Sequence, residues 1–237
     1  MDFYLDFFAD NWWRFIIAAV AAYLLGSINT AIVVTKVATK GRQDIRELGS
    51  GNAGFTNVLR SVGKVPAIIT IVCDALKCNI AVLFGGFIFS FIAADSQILS
   101  SEFINFGKYV AGIFCILGHS YPVYFRFKGG KGVVAAAALM LTEDWRVFLL
   151  IIATFLIIFF ATKIISLASI VCASLYAVYT FLMTFLFDYL QYGYSIVYVI
   201  MSTSAALIIG VFVVVKHKSN IGRLIRGEEK KISAKKN

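Results

Sequence analysis

The sequence is poor in charged residues, in proline and in histidine. Asp, Glu, Lys and Arg make up 15% of its 237 residues, whereas they make up about a quarter of an average soluble domain. Hydrophobic residues make up 60%, and this combination excludes a soluble globular enzyme and a disordered chain. With two prolines and no low-complexity tract, no segment is suited to a second soluble domain. We therefore expect one integral membrane domain over residues 1–237.

Cysteine is also scarce and is not arranged for metal or redox chemistry. Without a Cys-x-x-Cys pair, the sequence predicts neither a zinc site nor a disulfide framework. The four cysteines all lie in apolar runs, at Cys73, Cys78, Cys115 and Cys172. The N-terminal run follows acidic rather than basic residues, which favours a retained helix over a cleaved signal peptide.

Seven apolar runs offer candidates for membrane-spanning helices, each of which needs about 20 residues. They cover residues 12–35, 65–93, 105–125, 132–141, 147–162, 165–187 and 194–215. The fourth run is short, but counting it as a crossing sorts the charges cleanly between the two sides. The sequence thus predicts an all-α polytopic membrane protein with seven transmembrane helices, an outside N-terminus and a cytoplasmic C-terminus.

The basic residues supply this orientation. With the N-terminus outside, 18 Lys and Arg fall in inside segments and three fall outside, the bias that cytoplasmic loops carry. The net charge of +9 is therefore first a topology signal, and no nucleic-acid partner is expected. The C-terminal lysines also suit a tail that binds anionic lipid headgroups; they are Lys230, Lys231, Lys235 and Lys236.

The first inside loop is dense in glycine and small polar residues. Glycines let backbone N–H groups converge on an anion, and a following helix adds a favourable dipole. Arg60 would clamp a phosphate with two parallel hydrogen bonds. A plain turn needs fewer glycines, so we interpret the loop as an anion site, although it lacks the Gly-Lys-Ser/Thr of a Walker A loop. Its candidate residues are Gly49, Ser50, Gly51, Asn52, Gly54, Thr56, Asn57 and Arg60.

A second inside segment, residues 118–132, places basic residues around a pair of glycines. Positive-inside charge alone explains Arg126 and Lys128, but it does not explain glycine on both sides of Lys131. A short helix is predicted to begin beside Lys131, which again suits an anion. The candidate residues are His119, Lys128, Gly129, Gly130 and Lys131.

Two further inside segments carry polar residues at helical spacing. His217 and Asn220 are three apart and would share a helix face, as would Ser166 and Ser169. For the serines, close helix packing is an equally good interpretation. The two histidines of the chain, His119 and His217, both lie at predicted cytoplasmic helix ends.

Asp74 and Lys77 lie three residues apart within the second apolar run. An intramembrane ion pair is by default a candidate functional site. A structural pair that closes the helix bundle is at least as good an interpretation, and the sequence leaves both open.

Glycine loops, basic residues and both histidines thus converge on one membrane face. A phosphorylated, water-soluble substrate would meet them from the cytoplasm, and an apolar bundle beside them would hold an acyl chain. This combination suggests a reaction that joins a fatty chain to a phosphorylated headgroup. The residues alone do not select acyl transfer over other lipid chemistry.

Four segments resemble signature segments of the bacterial PlsY family, the acyl-phosphate:glycerol-3-phosphate O-acyltransferases of the inner membrane. They are residues 26–29, 49–60, 118–132 and 216–224. The resemblance implies a multi-pass, seven-helix enzyme of phospholipid biosynthesis with its active site at the cytoplasmic face. Its reaction would convert acyl phosphate and sn-glycerol 3-phosphate into lysophosphatidic acid (1-acyl-sn-glycerol 3-phosphate) and phosphate. It implies no metal, no cofactor and no acyl-CoA, and no obligatory protein partner is evident.

The resemblance also implies residue roles. The residues that would hold the acyl-phosphate end are Ser50, Gly51, Asn52 and Lys131, of which Lys131, Ser50 and Asn52 are the catalytic candidates. The residues that would bind glycerol 3-phosphate or line its pocket are Arg60, His217, Asn220, Thr56, Asn57 and one of Ser166 and Ser169. The chain departs from the family where Asn29 and Ala53 replace a usual proline and Phe55 replaces a usual small residue.

Acyl phosphate is already activated, so the enzyme needs mainly orientation and charge stabilisation. Either His217 or a phosphate oxygen of the substrate would take the proton of the attacking hydroxyl, and the resemblance favours the substrate. A transporter for a phosphorylated solute would instead place polar residues near the midplane of paired halves. A non-catalytic lipid-binding anchor would explain the C-terminal lysines but not the two glycine-rich loops.

Overall fold

The computed structural model describes residues 2–231, with side chains from residue 7 onward. In this part of the chain the secondary structure is entirely helical. Lys235 and Lys236 of the predicted headgroup-binding tail lie outside the described residues. The main helices are α1 (Asp2–Gly26), α2 (Thr30–Ala38), α3 (Phe55–Ser61), α4 (Lys64–Phe89), α5 (Gln97–Ser120), α6 (Val133–Glu143), α7 (Trp145–Thr162), α8 (Ile165–Met183), α9 (Ile196–Lys216) and α10 (Lys218–Ile225).

Every predicted apolar run overlaps at least one of these helices. Within the described residues, five segments are both long and apolar enough to cross a membrane. They are Phe7–Ala38, Lys64–Phe89, Trp145–Thr162, Ile165–Tyr189 and Ile196–Lys216. The all-α, multi-pass membrane architecture is therefore confirmed. Because α6 has 11 residues, too few to span a bilayer alone, the count of seven crossings stays a prediction. The orientation of the two termini also stays a prediction.

The first apolar run is interrupted by a helix break. α1 ends at Gly26 and α2 begins at Thr30. Asn29 starts the second helix because its side-chain oxygen accepts a hydrogen bond from the Ile32 N–H at 3.2 Å, which satisfies one of the donors that a helix N-terminus leaves open. Asn29 thus sets a helix start at a position where the resembling family usually has proline.

The chain divides into two compact units, residues 1–143 and 144–237, which are described separately. The single integral membrane domain over 1–237 stays a prediction. In the first unit α5 packs against α1 and α4, and α6 packs against α4 and α5. Glycines bring these helices together at backbone contact, because a Cβ atom at Gly26 would collide with the Cys115 carbonyl and one at Gly118 with the Tyr23 carbonyl. Small residues permit such close approach in membrane helices.

The second unit consists of α7, α8 and α9 packed in sequence, followed by α10. A π-helical segment, Thr184–Tyr189, continues α8. Large apolar side chains such as Ile157 and Phe160 are exposed, as expected of side chains that face lipid. Arg146 forms ion pairs with both Asp144 at 2.8 Å and Asp188 at 2.9 Å, so one guanidinium bridges two carboxylates.

Candidate active site

The first predicted anion loop is shaped by two glycines with positive φ. Gly49 has φ 57° and Gly51 has φ 71°, a backbone region that L side chains seldom adopt. A Cβ atom at Gly49 would also collide with the side chain of Asn57. α3 begins at Phe55, directly after Gly54. The predicted sequence of glycine loop followed by helix is therefore present.

The side chain of Asn57 stabilises this loop by hydrogen bonds to its backbone. Its side chain is 2% exposed, and its Nδ2 donates to the carbonyls of Ile45 and Leu48 at 3.0 and 2.9 Å. Its Oδ1 accepts from the Ser50 N–H at 3.0 Å. Both ends of the amide are thus used by the loop, which favours a structural role for Asn57. Direct contact of Asn57 with substrate stays a prediction.

The second predicted segment folds back onto the end of α5. The N–H of Gly129 donates to the Ser120 carbonyl at 3.3 Å, and that of Gly130 donates to the His119 carbonyl at 3.1 Å. A Cβ atom at either glycine would collide with His119. This close approach explains the glycine pair, which positive-inside charge did not. It leaves Lys131, which is half-buried, two residues before the start of α6.

Arg46, which the sequence did not single out, links the two segments. Its Nη1 donates to the Phe125 carbonyl at 2.8 Å, and its Nη2 forms an ion pair with Asp44 at 2.7 Å. The Arg46 guanidinium beside Asp44 holds the pKa of that carboxyl below its usual value. Both charges therefore persist at neutral pH, and Arg46 fastens the start of the glycine loop to the turn that precedes Lys131.

A buried polar cluster adjoins the second segment through His119. Lys77 Nζ forms an ion pair with Asp74 Oδ1 at 2.8 Å, donates to the Ile28 carbonyl at 2.7 Å and lies 3.3 Å from His119 Nδ1. Asp74, Lys77 and His119 are all buried. The predicted intramembrane ion pair is therefore formed. Its third member, His119, was predicted from the sequence as a substrate contact.

The second unit gathers polar residues around one carboxylate. Ser166 Oγ and Asn220 Nδ2 both donate to Glu229 Oε1 at 2.7 Å, and Arg223 Nε pairs with Glu229 Oε2 at 2.6 Å. Burial opposes ionisation of this carboxyl, but the hydrogen bonds from Ser166, Arg223 and Asn220 outweigh it and lower the pKa of Glu229. Sequence reasoning missed Glu229, because nothing in its local pattern marks a partner 63 residues away.

The two candidate serines are placed differently. Ser166 joins the Glu229 cluster, whereas Ser169 Oγ donates to the carbonyl of Ile165 in its own helix at 2.9 Å. His217 is buried between α9 and α10, and its Nδ1 lies 2.7 Å from the Val213 carbonyl. Because a carbonyl accepts only, Nδ1 is the protonated nitrogen and Nε2 is left as an acceptor when the ring is neutral.

The remaining candidates differ in exposure. Ser50, Arg60 and Lys128 are exposed, while Asn52 and Thr56 are half-buried. Within the described residues, no group of three or more His, Cys, Asp or Glu side chains is placed to hold a metal ion. The first unit therefore presents small polar and basic side chains beside its glycine segments, an arrangement suited to binding anions and to stabilising a negatively charged leaving group.

Comparisons with known proteins identify the family. A family model described as glycerol-3-phosphate acyltransferase matches residues 16–227. A glycerol-3-phosphate acyltransferase of Paraburkholderia phymatum is 37% identical over 93% of this chain and 94% of its own. Crystal structures of PlsY (YgiH), an integral membrane glycerol 3-phosphate acyltransferase, are 32% identical. Its glycerol 3-phosphate form has a TM-score of 0.73 over 92% of this chain and 96% of PlsY. Its lysophosphatidic acid form has a TM-score of 0.72 over 92% of this chain and 95% of PlsY. This chain therefore belongs to the PlsY family of glycerol-3-phosphate acyltransferases.

Proposed function

We propose that this protein transfers a fatty acyl group from acyl phosphate to the 1-hydroxyl of sn-glycerol 3-phosphate. The products are 1-acyl-sn-glycerol 3-phosphate and inorganic phosphate, and the reaction belongs to phospholipid biosynthesis. The observation that carries the proposal is the pair of glycine-shaped segments that Arg46 fastens together beside Lys131, in a chain of the PlsY family. The PlsY structures in glycerol 3-phosphate and lysophosphatidic acid forms support the acceptor and the product.

The donor is assigned to the first unit. Ser50, Gly51 and Asn52 of the loop, together with Lys131, hold the acyl-phosphate end. An acyl phosphate carries its negative charge on the group that leaves, so donors fixed around that group stabilise the charge as the bond to phosphate breaks. The support for this assignment is the positive φ of Gly49 and Gly51, a backbone conformation that also occurs in anion-binding concavities.

The acceptor is assigned to residues that the family resemblance implies. Asn220, His217 and Ser166 of the second unit bind glycerol 3-phosphate, and the role of Arg60 in phosphate binding stays a prediction from the resemblance. Ser166 is preferred over Ser169 because its hydroxyl already shares an anionic partner with Asn220. A group of donors that holds a carboxylate is chemically suited to hold a phosphate.

The chemical step is a direct displacement at the acyl carbonyl carbon. The oxygen of the 1-hydroxyl forms the new ester bond, the bond between the acyl carbon and the phosphate oxygen breaks, and phosphate leaves as an anion. The hydroxyl proton passes to a phosphate oxygen of the substrate. His217, whose Nε2 is an acceptor in the tautomer described above, binds the acceptor substrate. Orientation of the two substrates supplies most of the acceleration.

The multi-pass architecture places the enzyme in a membrane, and we assign it to the bacterial inner membrane with the site at the cytoplasmic face. The excess of inside basic residues supports this orientation. Acyl phosphate and membrane lipids are then partners within the bilayer, and glycerol 3-phosphate is the partner from the cytoplasm.

The test is an assay of the detergent-purified protein with acyl phosphate and glycerol 3-phosphate. We expect phosphate release that depends on both substrates and matches the 1-acyl-glycerol 3-phosphate formed. Acyl-CoA in place of acyl phosphate should give no turnover. Efficient transfer from acyl-CoA would refute the assignment of acyl phosphate as the donor. Counterflow of glycerol 3-phosphate in vesicles without ester formation would refute the proposal that the protein is an acyltransferase.

A further inference from the structure

Asp74, Lys77 and His119 form a cluster of ionisable side chains in the protein interior. Each of the three residues is at most 6% exposed. Removing two opposite charges from water is costly, and such a pair persists only where its geometry is well satisfied. The Lys77 ammonium meets this condition, since it contacts Asp74 Oδ1, the Ile28 carbonyl and His119 Nδ1 at 2.8, 2.7 and 3.3 Å. The cluster therefore fixes the position of an imidazole.

The contact with Lys77 also selects the tautomer of that imidazole. An ammonium group has three donors and no acceptor. His119 Nδ1 faces two groups, Lys77 Nζ at 3.3 Å and Asp74 Oδ1 at 3.6 Å. Only the contact with Lys77 is within hydrogen-bond distance, and it favours Nδ1 as an acceptor that carries no proton. The ring proton of neutral His119 is therefore on Nε2. His217 has the opposite arrangement, because its Nδ1 donates to the Val213 carbonyl.

Nε2 of His119 points at the place where the two anion-binding segments meet. A Cβ atom built on Gly130 would collide with His119 Nε2 and would lie 2.7 Å from the Ala53 carbonyl oxygen. The imidazole edge and the carbonyl of the glycine loop thus converge beside Gly130. The carbonyl of His119 accepts the Gly130 N–H at 3.1 Å, so His119 is bonded to Gly130 through its backbone while its ring packs beside it.

We propose that Asp74, Lys77 and His119 form a positioning relay that presents the Nε2–H of His119 between Ala53 and Gly130 and so sets the spacing of the two anion-binding segments. Asp74 orients Lys77, Lys77 fixes the tautomer of His119, and His119 holds the glycine loop in register with Lys131. The relay rests on the proposed function for its catalytic consequence. It gives His119 an indirect role, in place of the substrate contact that the sequence suggested.

The tautomer is measurable because the chain has only two histidines. Nitrogen NMR of protein labelled with ¹⁵N-histidine should show two imidazoles, and a His217→Gln variant assigns the remaining one to His119. We expect His119 to be neutral with its proton on Nε2. A proton on Nδ1, or a doubly protonated ring, would overturn the relay whether or not the protein is an acyltransferase.

The dependence on Lys77 is tested with the double variant Asp74→Asn, Lys77→Met. It removes both charges together, so no uncompensated ion remains buried. We expect the variant to fold and His119 to lose its single Nε2–H state. An unchanged His119 spectrum would contradict the relay. If the double variant does not fold, Lys77→Arg provides the test, because a guanidinium also donates only and should keep the Nε2–H tautomer; loss of that tautomer would again contradict the proposal.

Kinetics separates positioning from simple structural support. In His119→Asn the side-chain amide lies near the position of the imidazole Nδ1, whereas in His119→Gln it lies near the position of Nε2. We expect His119→Gln to retain more activity than His119→Asn, with a fall in kcat on the order of tenfold to a hundredfold for the latter. KM for glycerol 3-phosphate should change by less than about twofold, the pattern for a lost transition-state interaction. Equal losses in the two variants, or a loss confined to KM, would refute the role.

Discussion

The backbone N–H of Ser50 donates to the side-chain oxygen of Asn57 at 3.0 Å, so the glycine loop is held by the helix that follows it. Replacing Asn57 by Ala leaves this N–H and the carbonyls of Ile45 and Leu48 without their side-chain partner. Each buried polar group left unsatisfied costs about 1–3 kcal/mol. We expect a lower thermal unfolding midpoint in detergent and a loss of acyl transfer.

The midpoint can be followed with a thiol-reactive dye, because Cys78, Cys115 and Cys172 are buried in the folded chain. Asn57→Asp is the matched variant, since it keeps an acceptor for Ser50 but loses both donors. At neutral pH it should be destabilised at least as much as Asn57→Ala, because its buried carboxylate would face the carbonyl oxygens of Ile45 and Leu48. Full activity and stability in Asn57→Ala would contradict the role of this side chain.

Gly130→Ala should abolish transfer. The added Cβ would collide with His119 Nε2 and lie 2.7 Å from the Ala53 carbonyl oxygen, so the backbone before Lys131 must move, and a shift of about 1 Å costs on the order of a hundredfold in rate. Gly222→Ala in α10 is the matched control. A Cβ atom there would lie 3.5 Å from its nearest neighbour, Arg226 Nη1, and alanine is the better helix former by about 1 kcal/mol. Similar phosphate release in the two variants would oppose this prediction.

Lys131→Ala should lower kcat by on the order of a hundredfold to a thousandfold, the range for removing one group that stabilises developing negative charge. Its thermal midpoint should stay near that of the native protein. Lys36→Ala serves as the control, because Lys36 is an exposed lysine in the last turn of α2. Retention of native kcat by Lys131→Ala would remove Lys131 from the catalytic assignment.

Glu229→Gln should destabilise the C-terminal segment in a way that depends on pH. The pKa of Glu229 is lowered from 4.5, so its ionised form adds stability that is fully present above that value. This contribution is lost as the pH falls through the lower pKa of the folded state. The difference in unfolding midpoint between native protein and Glu229→Gln should therefore be constant near neutral pH and shrink below pH 4.5.

Glu228→Gln is the matched control for that experiment. Glu228 pairs with Arg226, and both side chains are more than half exposed, where ion pairs contribute little. Its midpoint should follow the native protein at every pH. A difference for Glu229→Gln that is independent of pH would show that its carboxylate charge does not hold Ser166 and Asn220.

Much of the helical framework was predictable, because an apolar run long enough to cross a bilayer has few alternatives to a helix. The start of α5 was not predicted: it lies at Gln97, eight residues before the apolar run begins. The signal was present, since Ser96 caps this helix by accepting from the Leu99 N–H, a common start signal. The break before Thr30 was missed because apolar composition does not reveal it.

The glycine loops were also predictable as loops, because glycine at positive φ and glycine pairs have few other uses. Their partners were not. Arg46 reaches the Phe125 carbonyl across 79 residues, and Lys77 reaches the Ile28 carbonyl across 49. Such contacts depend on how the helices pack, and a single sequence carries no direct record of packing. The sequence therefore identified the anion-binding segments but not what holds them.

The backbone contacts of α5 divide its surface into two kinds of position. On the side of α5 that faces lipid, many apolar residues can replace one another, because fluid acyl chains fit around side chains of different shapes. At Gly107, Gly112 and Gly118 even one added methyl group meets a neighbouring helix. A saturation scan should therefore find α5 tolerant overall, with narrow intolerance at these glycines, although hydropathy ranks them among its least notable residues.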